Sequence, residues 1–328
     1  MDFDLTEEQT AVQELARDFA RDICGPGIAE RDRAEEFGAE QIRKAGELGL
    51  MGLLVEEKYG GSGLGNLALS LALVEINRVD ASVGVALSVH NSLTCGCIQR
   101  WGSEEVKQAF LPKLASGEWL GGYALSETES GSDAGSLVCK AERDGDEFVL
   151  TGTKAWITSG DQAGAMVVFA RTDPDAGNRG VTAFAIDTSW DGFHVGKREE
   201  KLGIRSSSTV EIRLDGLRVP ASHVLGEVNQ GFKIALYTLD GGRIGIACQG
   251  LGIMEACLEA SILYAKEREQ FGKKISEFQP IQWKLAGMAE RIEAARLLIY
   301  RAASLKDRGI PHVREAAIAK LVASRGAN

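Results

Sequence analysis

A chain of 328 residues with 44% hydrophobic content can bury more than one core, and its length predicts two or three domains. The formal net charge of -10 argues against a nucleic-acid partner, because phosphate backbones are bound chiefly by clustered Lys and Arg. Apolar runs, the longest at residues 68–74, stay well short of the roughly 18 residues that cross a bilayer, so no membrane partner is expected.

The start M-D-F-D-L-T-E-E-Q is acidic and shows no targeting pattern, which predicts a bacterial cytoplasmic protein, or a matrix-type one if processed. Thr6 and Gln9 form a capping box ahead of Val12, Leu15, Ala16 and Phe19, a helical repeat that ends near Gly25 and Pro26. A second helix is predicted over residues 39–48. The glycine-rich stretch 55–65 lacks both a Gly-Lys-Ser/Thr ending and Gly-x-Gly-x-x-Gly spacing, so it reads as a flexible turn rather than a phosphate loop. Residues 67–76 and 81–93 read as buried helices with small residues at their contacts. The latter carries His90, whose expected role is structural. Ser103, with Glu104 and Glu105, caps a further helix.

Period-two patterns then take over. Alternation over 137–143, an Asp144-Gly145 turn and renewed alternation through Phe148 and Leu150 predict a hairpin, followed by strands at 166–171, 181–187 and 209–214. Helical patterns return from Gly231, over 232–267, 281–306 and 313–324. The predicted architecture is α+β and multidomain: a helical N-terminal domain (1–120), a middle β-barrel or small sandwich (121–226) and a C-terminal helical bundle (227–328). The six cysteines are scattered, and Cys95 and Cys97 point to different sides of a helix, so reduced structural thiols are expected. The four histidines show no ligand spacing, and no metal is expected.

Two polar segments flank the hairpin. Y-A-L-S-E-T-E-S-G-S-D runs from Tyr123 to Asp133, and A-W-I-T-S from Ala155 to Ser159. Hydroxyls and a glycine beside a Trp suit a planar, heteroatom-rich cofactor, although spacing alone is equally served by surface hydroxyls and a core Trp. The pair resembles the flavin-binding segments of acyl-CoA dehydrogenases, an aromatic-x-Leu-Thr-Glu-Pro-x-x-Gly-Ser-Asp strand followed by Trp-Ile-Thr. Ser126 stands where that family usually has Thr, and Thr128 where it usually has Pro. The first change keeps a hydroxyl, and the second loses only a fixed φ.

The resemblance covers essentially the whole chain and implies FAD as cofactor. It implies that Tyr123, Leu125, Ser126, Ser132, Trp156, Ile157 and Thr158 contact the flavin, with Trp156 on the ring and Thr158 directed at N5. Arg268, Gln270, Phe271 and Gln279 match an arm that reaches a neighbouring subunit's FAD, which implies a homo-oligomer, dimer or tetramer. Taken alone, Arg268 is a solvated helix end and Gly272 a C′ cap. Asp240 and Arg243, by themselves an i,i+3 ion pair on a helix, match positions that contact acyl-CoA together with Ser132. The adjacent Gly241 and Gly242 cost that helix about 1 kcal/mol each against alanine, so close packing is expected there.

The implied activity is α,β-dehydrogenation of an acyl-CoA thioester to the trans-2-enoyl product, with electrons passed to an electron-transferring flavoprotein. The helix L-D-G-G-R-I-G-I-A looks most like that of short-chain or general bacterial members. The chemistry needs a carboxylate base. In most members it lies in a C-terminal loop, and in a minority directly before the arginine matched by Arg243, where this chain has Gly242. The base is therefore expected C-terminal to Asn328, in a segment removed by truncation. Two alternatives stay open: a shortened binding or assembly protein without catalysis, and a related flavin oxidase or monooxygenase.

Overall fold

The computed structural model describes residues 4–328. Seven α-helices among these precede the strands: α1 Glu7–Phe19, α2 Ile28–Ala34, α3 Ala39–Glu47, α4 Gly65–Val79, α5 Ala81–Ser88, α6 Gly96–Trp101 and α7 Glu104–Ala115. Eight strands follow: β1 Leu120–Ala124, β2 Lys140–Asp144, β3 Glu147–Thr158, β4 Ala163–Arg171, β5 Val181–Asp187, β6 Phe193–Arg198, β7 Thr209–Pro220 and β8 Val224–Leu225. The chain closes with α8 Gly231–Glu267, a small hairpin of β9 Glu269–Gln270 and β10 Lys273–Lys274, then α9 Gln279–Asp307 and α10 Val313–Ala327. Helical, β, helical is the order expected. Contacts group the chain into two units, one of Gly27–Gly63 and Ala86–Gly242, the other of Leu64–Val85, Arg243–Asn328 and the N-terminal stretch to Pro26.

In the first unit the eight strands form one mixed sheet in the order β6-β7-β3-β2-β4-β5-β8, with β1 added in parallel to β4. Strand periodicity explains its two cores. Along β4, Ala165, Val167 and Phe169 pack on one face with Val106, Phe110, Leu111 and Leu114 of α7. Met166, Val168 and Ala170 face the other way, toward Phe148, Leu150 and Ile157 of β3 and Ile212 and Leu214 of β7. Gly145, at φ +62°, makes the predicted β2–β3 turn. The edge strand β6 escapes sequence reading because nearly all of it is exposed and its alternation is limited to Phe193 and Val195.

In the second unit, the Thr6 capping box opens α1 as predicted, with Gln9 N donating to Thr6 Oγ1 at 3.2 Å and Thr6 N to Gln9 Oε1 at 3.0 Å. Helix α4 is buried over most of its length. α8 crosses it at Gly252, where a Cβ would stand 2.6 Å from the Val74 carbonyl oxygen and 2.7 Å from Arg78 N. The first turn of α4 is capped from far away. Asp307 at the end of α9 accepts from Asn66 N at 2.6 Å and Leu67 N at 2.9 Å, placing an anion at the positive end of the helix dipole. Asp307→Ala is expected to lower unfolding free energy by about 1–2 kcal/mol. A denaturant midpoint equal to that of the parent would rule this cap out.

Two helical runs reach the length and hydropathy of a membrane span, a correction to the reading of apolar runs. They are Ala81–Trp101, formed by α5, the π-helical Val89–Cys95 and α6, and the whole of α8. Scattered polar residues interrupt the runs, yet the average hydropathy stays at the level of a span. The first run has 78% of its most apolar window buried within the protein, as a core helix does.

Candidate functional site

The two polar segments meet at the end of β1. Ser126 O accepts from Ala155 N at 2.9 Å, so the chain leaving β1 is tied to β3 just before Trp156. The β3–β7 ladder slips between Lys154 and Ile157, and Trp156 takes φ +58°. For a bulky residue this is a strained backbone. The strain turns the indole outward: Trp156 is 53% exposed, although Ala155 and Ile157 on either side are buried. It is not the core Trp that spacing alone allows. Half-buried Ser126 has an N–H and a hydroxyl with no partner among the described residues, and the half-buried Thr158 hydroxyl is also unpaired. An amide donor, two hydroxyls and a flat ring at one strand edge complement the acceptor-rich edge and planar face of an isoalloxazine, so the residues fit a flavin.

The other members of that predicted set are placed differently. The Tyr123 ring lies in the core against Phe169, with centroids 5.1 Å apart, and burial raises its phenol well above the usual range. Leu125 and Ile157 are buried too, so these three offer backbone rather than side chains. Ser132 is exposed in a turn stapled by Ser130 and Ser136, whose hydroxyls both donate to the Asp133 carbonyl at 2.8 Å.

Sequence reasoning passed over Glu127 and Lys154. Lys154 is fully buried and Glu127 is 3% exposed; Lys154 Nζ donates to Glu127 Oε1 at 2.7 Å and to the Leu125 carbonyl at 3.2 Å. Glu127 also accepts from Val138 N at 2.6 Å and Cys139 N at 3.0 Å. The available signal was a lysine at an inward position of an alternating strand.

His90 is structural, as expected. Its Nδ1 accepts from Gly121 N at 2.9 Å, which fixes the proton on Nε2, 3.0 Å from the Met51 carbonyl. Burial lowers its pKa to about 4. All six cysteines are free and only Cys257 is exposed; burial pushes the Cys97 thiol up to about 12. Among the described residues, no group of three or more His, Cys, Asp or Glu could hold a metal ion.

Arg268, Gln270, Phe271 and Gln279 are all exposed, and Phe271 is 95% exposed. Phe271 at φ +51° and Gly272 at φ +75° form the two-residue turn between β9 and β10. Gly272 is therefore a hairpin residue and not the C′ cap that local sequence allows; the pairing of Lys273 and Lys274 with Gln270 and Glu269 carries the chain past the helix end. The Phe278 ring stands edge-on to Phe271 at 6.1 Å, and Ile275 N donates to the Arg268 carbonyl at 2.9 Å, bracing the arm.

Asp240 and Arg243 lie one turn apart on α8, with Asp240 buried and Arg243 half-buried. Between them, a Cβ on Gly242 would stand 2.8 Å from Leu93 Cδ2. Close packing explains this glycine, and the contact is with the mobile end of a side chain rather than with backbone.

A strand edge of this kind, within a helical, β, helical chain, suits a flavoprotein, and similarity to known proteins gives the class as an FAD-dependent oxidoreductase. Residues 6–118, 122–217 and 229–328 match the family models for the N-terminal, middle and C-terminal domains of acyl-CoA dehydrogenase. The chain belongs to the acyl-CoA dehydrogenase family, whose members are FAD-dependent oxidoreductases. It is 48% identical over 324 residues to the mitochondrial short-chain specific acyl-CoA dehydrogenase of Bos taurus, covering 99% of this chain and 79% of that protein. The structure of butyryl-CoA dehydrogenase from Megasphaera elsdenii superposes with a TM-score of 0.98 at 44% identity, covering 99% of this chain and 86% of that one. A chain in a structure of the electron transferring flavoprotein of Acidaminococcus fermentans gives the same TM-score of 0.98, identity of 44% and coverage of 99% and 86%.

Proposed function

We propose that this chain binds FAD along the Ser126–Trp156–Thr158 edge, dehydrogenates short-chain acyl-CoA thioesters between Cα and Cβ, and passes the electrons to an electron-transferring flavoprotein. The observation that carries this reading is Trp156, an exposed indole held at positive φ near the C-terminal end of β3. Such strain persists where a bound group uses the geometry it creates. The 48% identity to a short-chain specific relative supports the chain-length preference.

Each group has a role in this reading. Bound FAD supplies the acceptor for the β hydrogen. With FAD bound, the Ser126 N–H and hydroxyl would hold the flavin's polar edge, the Trp156 indole would cover its ring and exclude water, and the Thr158 hydroxyl would supply a further donor. Ser132, Asp240 and Arg243 hold the acyl-CoA. The α proton passes to a carboxylate that residues 1–328 do not supply, since the alternative position before Arg243 is Gly242. The exposed arm of Arg268, Gln270, Phe271 and Gln279 serves the FAD of a second copy in a homo-oligomer. The guanidinium of Arg268 is suited to a pyrophosphate by its planar fork.

An anaerobic titration tests this. FAD is added to the purified chain, then butyryl-CoA and longer acyl-CoAs, while the visible flavin spectrum is followed. Uptake of FAD and a spectral perturbation strongest with butyryl-CoA are expected, without rapid bleaching. Absence of FAD uptake refutes the cofactor reading, and fast bleaching refutes the placement of the base. Trp156→Ala is expected to weaken FAD binding about tenfold, the scale of one ring-stacking contact. An unchanged dissociation constant would remove Trp156 from the site.

A further inference from the structure

We infer that Lys154, held by Glu127, is a positioning residue that polarises the Leu125–Ser126 peptide and so sets the reduction potential of the bound flavin. The inference rests on the proposed placement of FAD at the Ser126 edge.

The argument starts from burial. A fully buried ammonium is costly unless compensated, and replacing such an ion pair by apolar groups is often neutral or stabilising, so stability alone does not account for one here. The Lys154 ammonium faces only two oxygens among the described residues, Glu127 Oε1 at 2.7 Å and the Leu125 carbonyl at 3.2 Å. That carbonyl belongs to the same peptide unit as the Ser126 N–H, the donor left without a protein partner. A cation on the carbonyl end of a peptide draws electron density from its N–H and strengthens it as a donor, and the low dielectric around a buried pair enlarges the effect.

Glu127 holds the cation in place. Its carboxylate is itself fixed by Val138 N and Cys139 N, and the Glu127 backbone closes on Ser130 through two hydrogen bonds of 2.9 and 3.1 Å. With Ala155 N on the Ser126 carbonyl at 2.9 Å, the peptides on both sides of Ser126 are strapped to β3. Reduction places negative charge on the flavin's polar edge, where a stronger donor stabilises the reduced state more than the oxidised one. The pair therefore raises the potential.

The test compares the FAD-loaded chain with a double variant, Lys154→Met with Glu127→Gln. The double change removes both charges, so no buried ion is left unpaired, and its amide oxygen still accepts from one of the two backbone donors, Val138 N or Cys139 N, which use different oxygens of Glu127. FAD uptake within a few-fold of the parent is expected, with the ratio of reduced to oxidised flavin at a fixed potential falling about tenfold. For a two-electron couple that is about 30 mV lower in a spectroelectrochemical titration. Uptake with an unchanged or higher potential overturns the inference.

A second measurement stands even where the variant fails to fold. In the unaltered chain loaded with FAD labelled with 13C at C2 and C4, one of these carbonyl resonances is expected downfield of its position in free FAD in water. Resonances at the free positions, or upfield of them, overturn the inference. Failure of the unaltered chain to take up FAD sinks the flavin reading, and this inference with it, and is distinct from uptake with an unaltered potential.

Discussion

His90→Phe is expected to lower the unfolding free energy by about 3 kcal/mol at neutral pH, measured by denaturant titration. The phenyl ring fills the space, but it leaves the Gly121 N–H and the Met51 carbonyl buried without partners, each costing about 1–3 kcal/mol. The parent protein should also show an acid dependence that the variant lacks. Burial disfavours the charged His90 imidazolium and lowers its pKa from 6.5 to about 4, and protonation would also set a second N–H against the Gly121 N–H. The unfolded chain then binds a proton that the folded chain does not. Stability from this group is complete above pH 6.5 and is lost as pH falls toward about 4, by about 3 kcal/mol in all. Parallel stability profiles for parent and variant across that window would falsify the neutral, Nε2-protonated assignment.

Gly242→Glu combined with Leu93→Ala is expected to raise the rate at which butyryl-CoA bleaches the flavin of the 328-residue chain by a factor on the order of 10² to 10⁴. The carboxylate would occupy the position that a minority of the family uses for the general base, directly before Arg243. Leu93→Ala is included because Leu93 Cδ2 is 2.8 Å from where the new Cβ would stand, and removing that side chain gives the carboxylate room. Gly242→Ala with the same Leu93 change controls for altered packing, and only the glutamate variant should gain rate. Equal rates in the two, with FAD binding intact, would show that this helix position does not face the α carbon.

The helical, β, helical order, the capping box at Thr6, the Asp144-Gly145 turn and most of the strands are legible in the sequence because each is a local pattern. Alternation, helical repeats and capping residues act over a few positions and agree with the fold that contains them. The Ser126 and Trp156 segments are likewise readable as motifs. The edge strand β6 is not, because an exposed edge needs few apolar residues and its alternation stops after Phe193 and Val195. The two span-like helices are not legible as apolar runs, because polar residues interrupt them while the average hydropathy stays high.

What the sequence determined by itself is the class of fold and the residue types gathered for a planar cofactor. What only the tertiary structure decided is how those residues point and what holds them. Trp156 turns outward because a slip in the β3–β7 ladder gives it a positive φ, and no local pattern encodes that slip. Tyr123 turns into the core, which a motif read along the chain cannot distinguish from a ring at the surface. Asp307 caps α4 from 241 positions away, and Lys154 reaches Glu127 and Leu125 across 27 and 29. Charges and caps that pair over such separations are selected by the packed fold, since nothing between them in the chain fixes their distance.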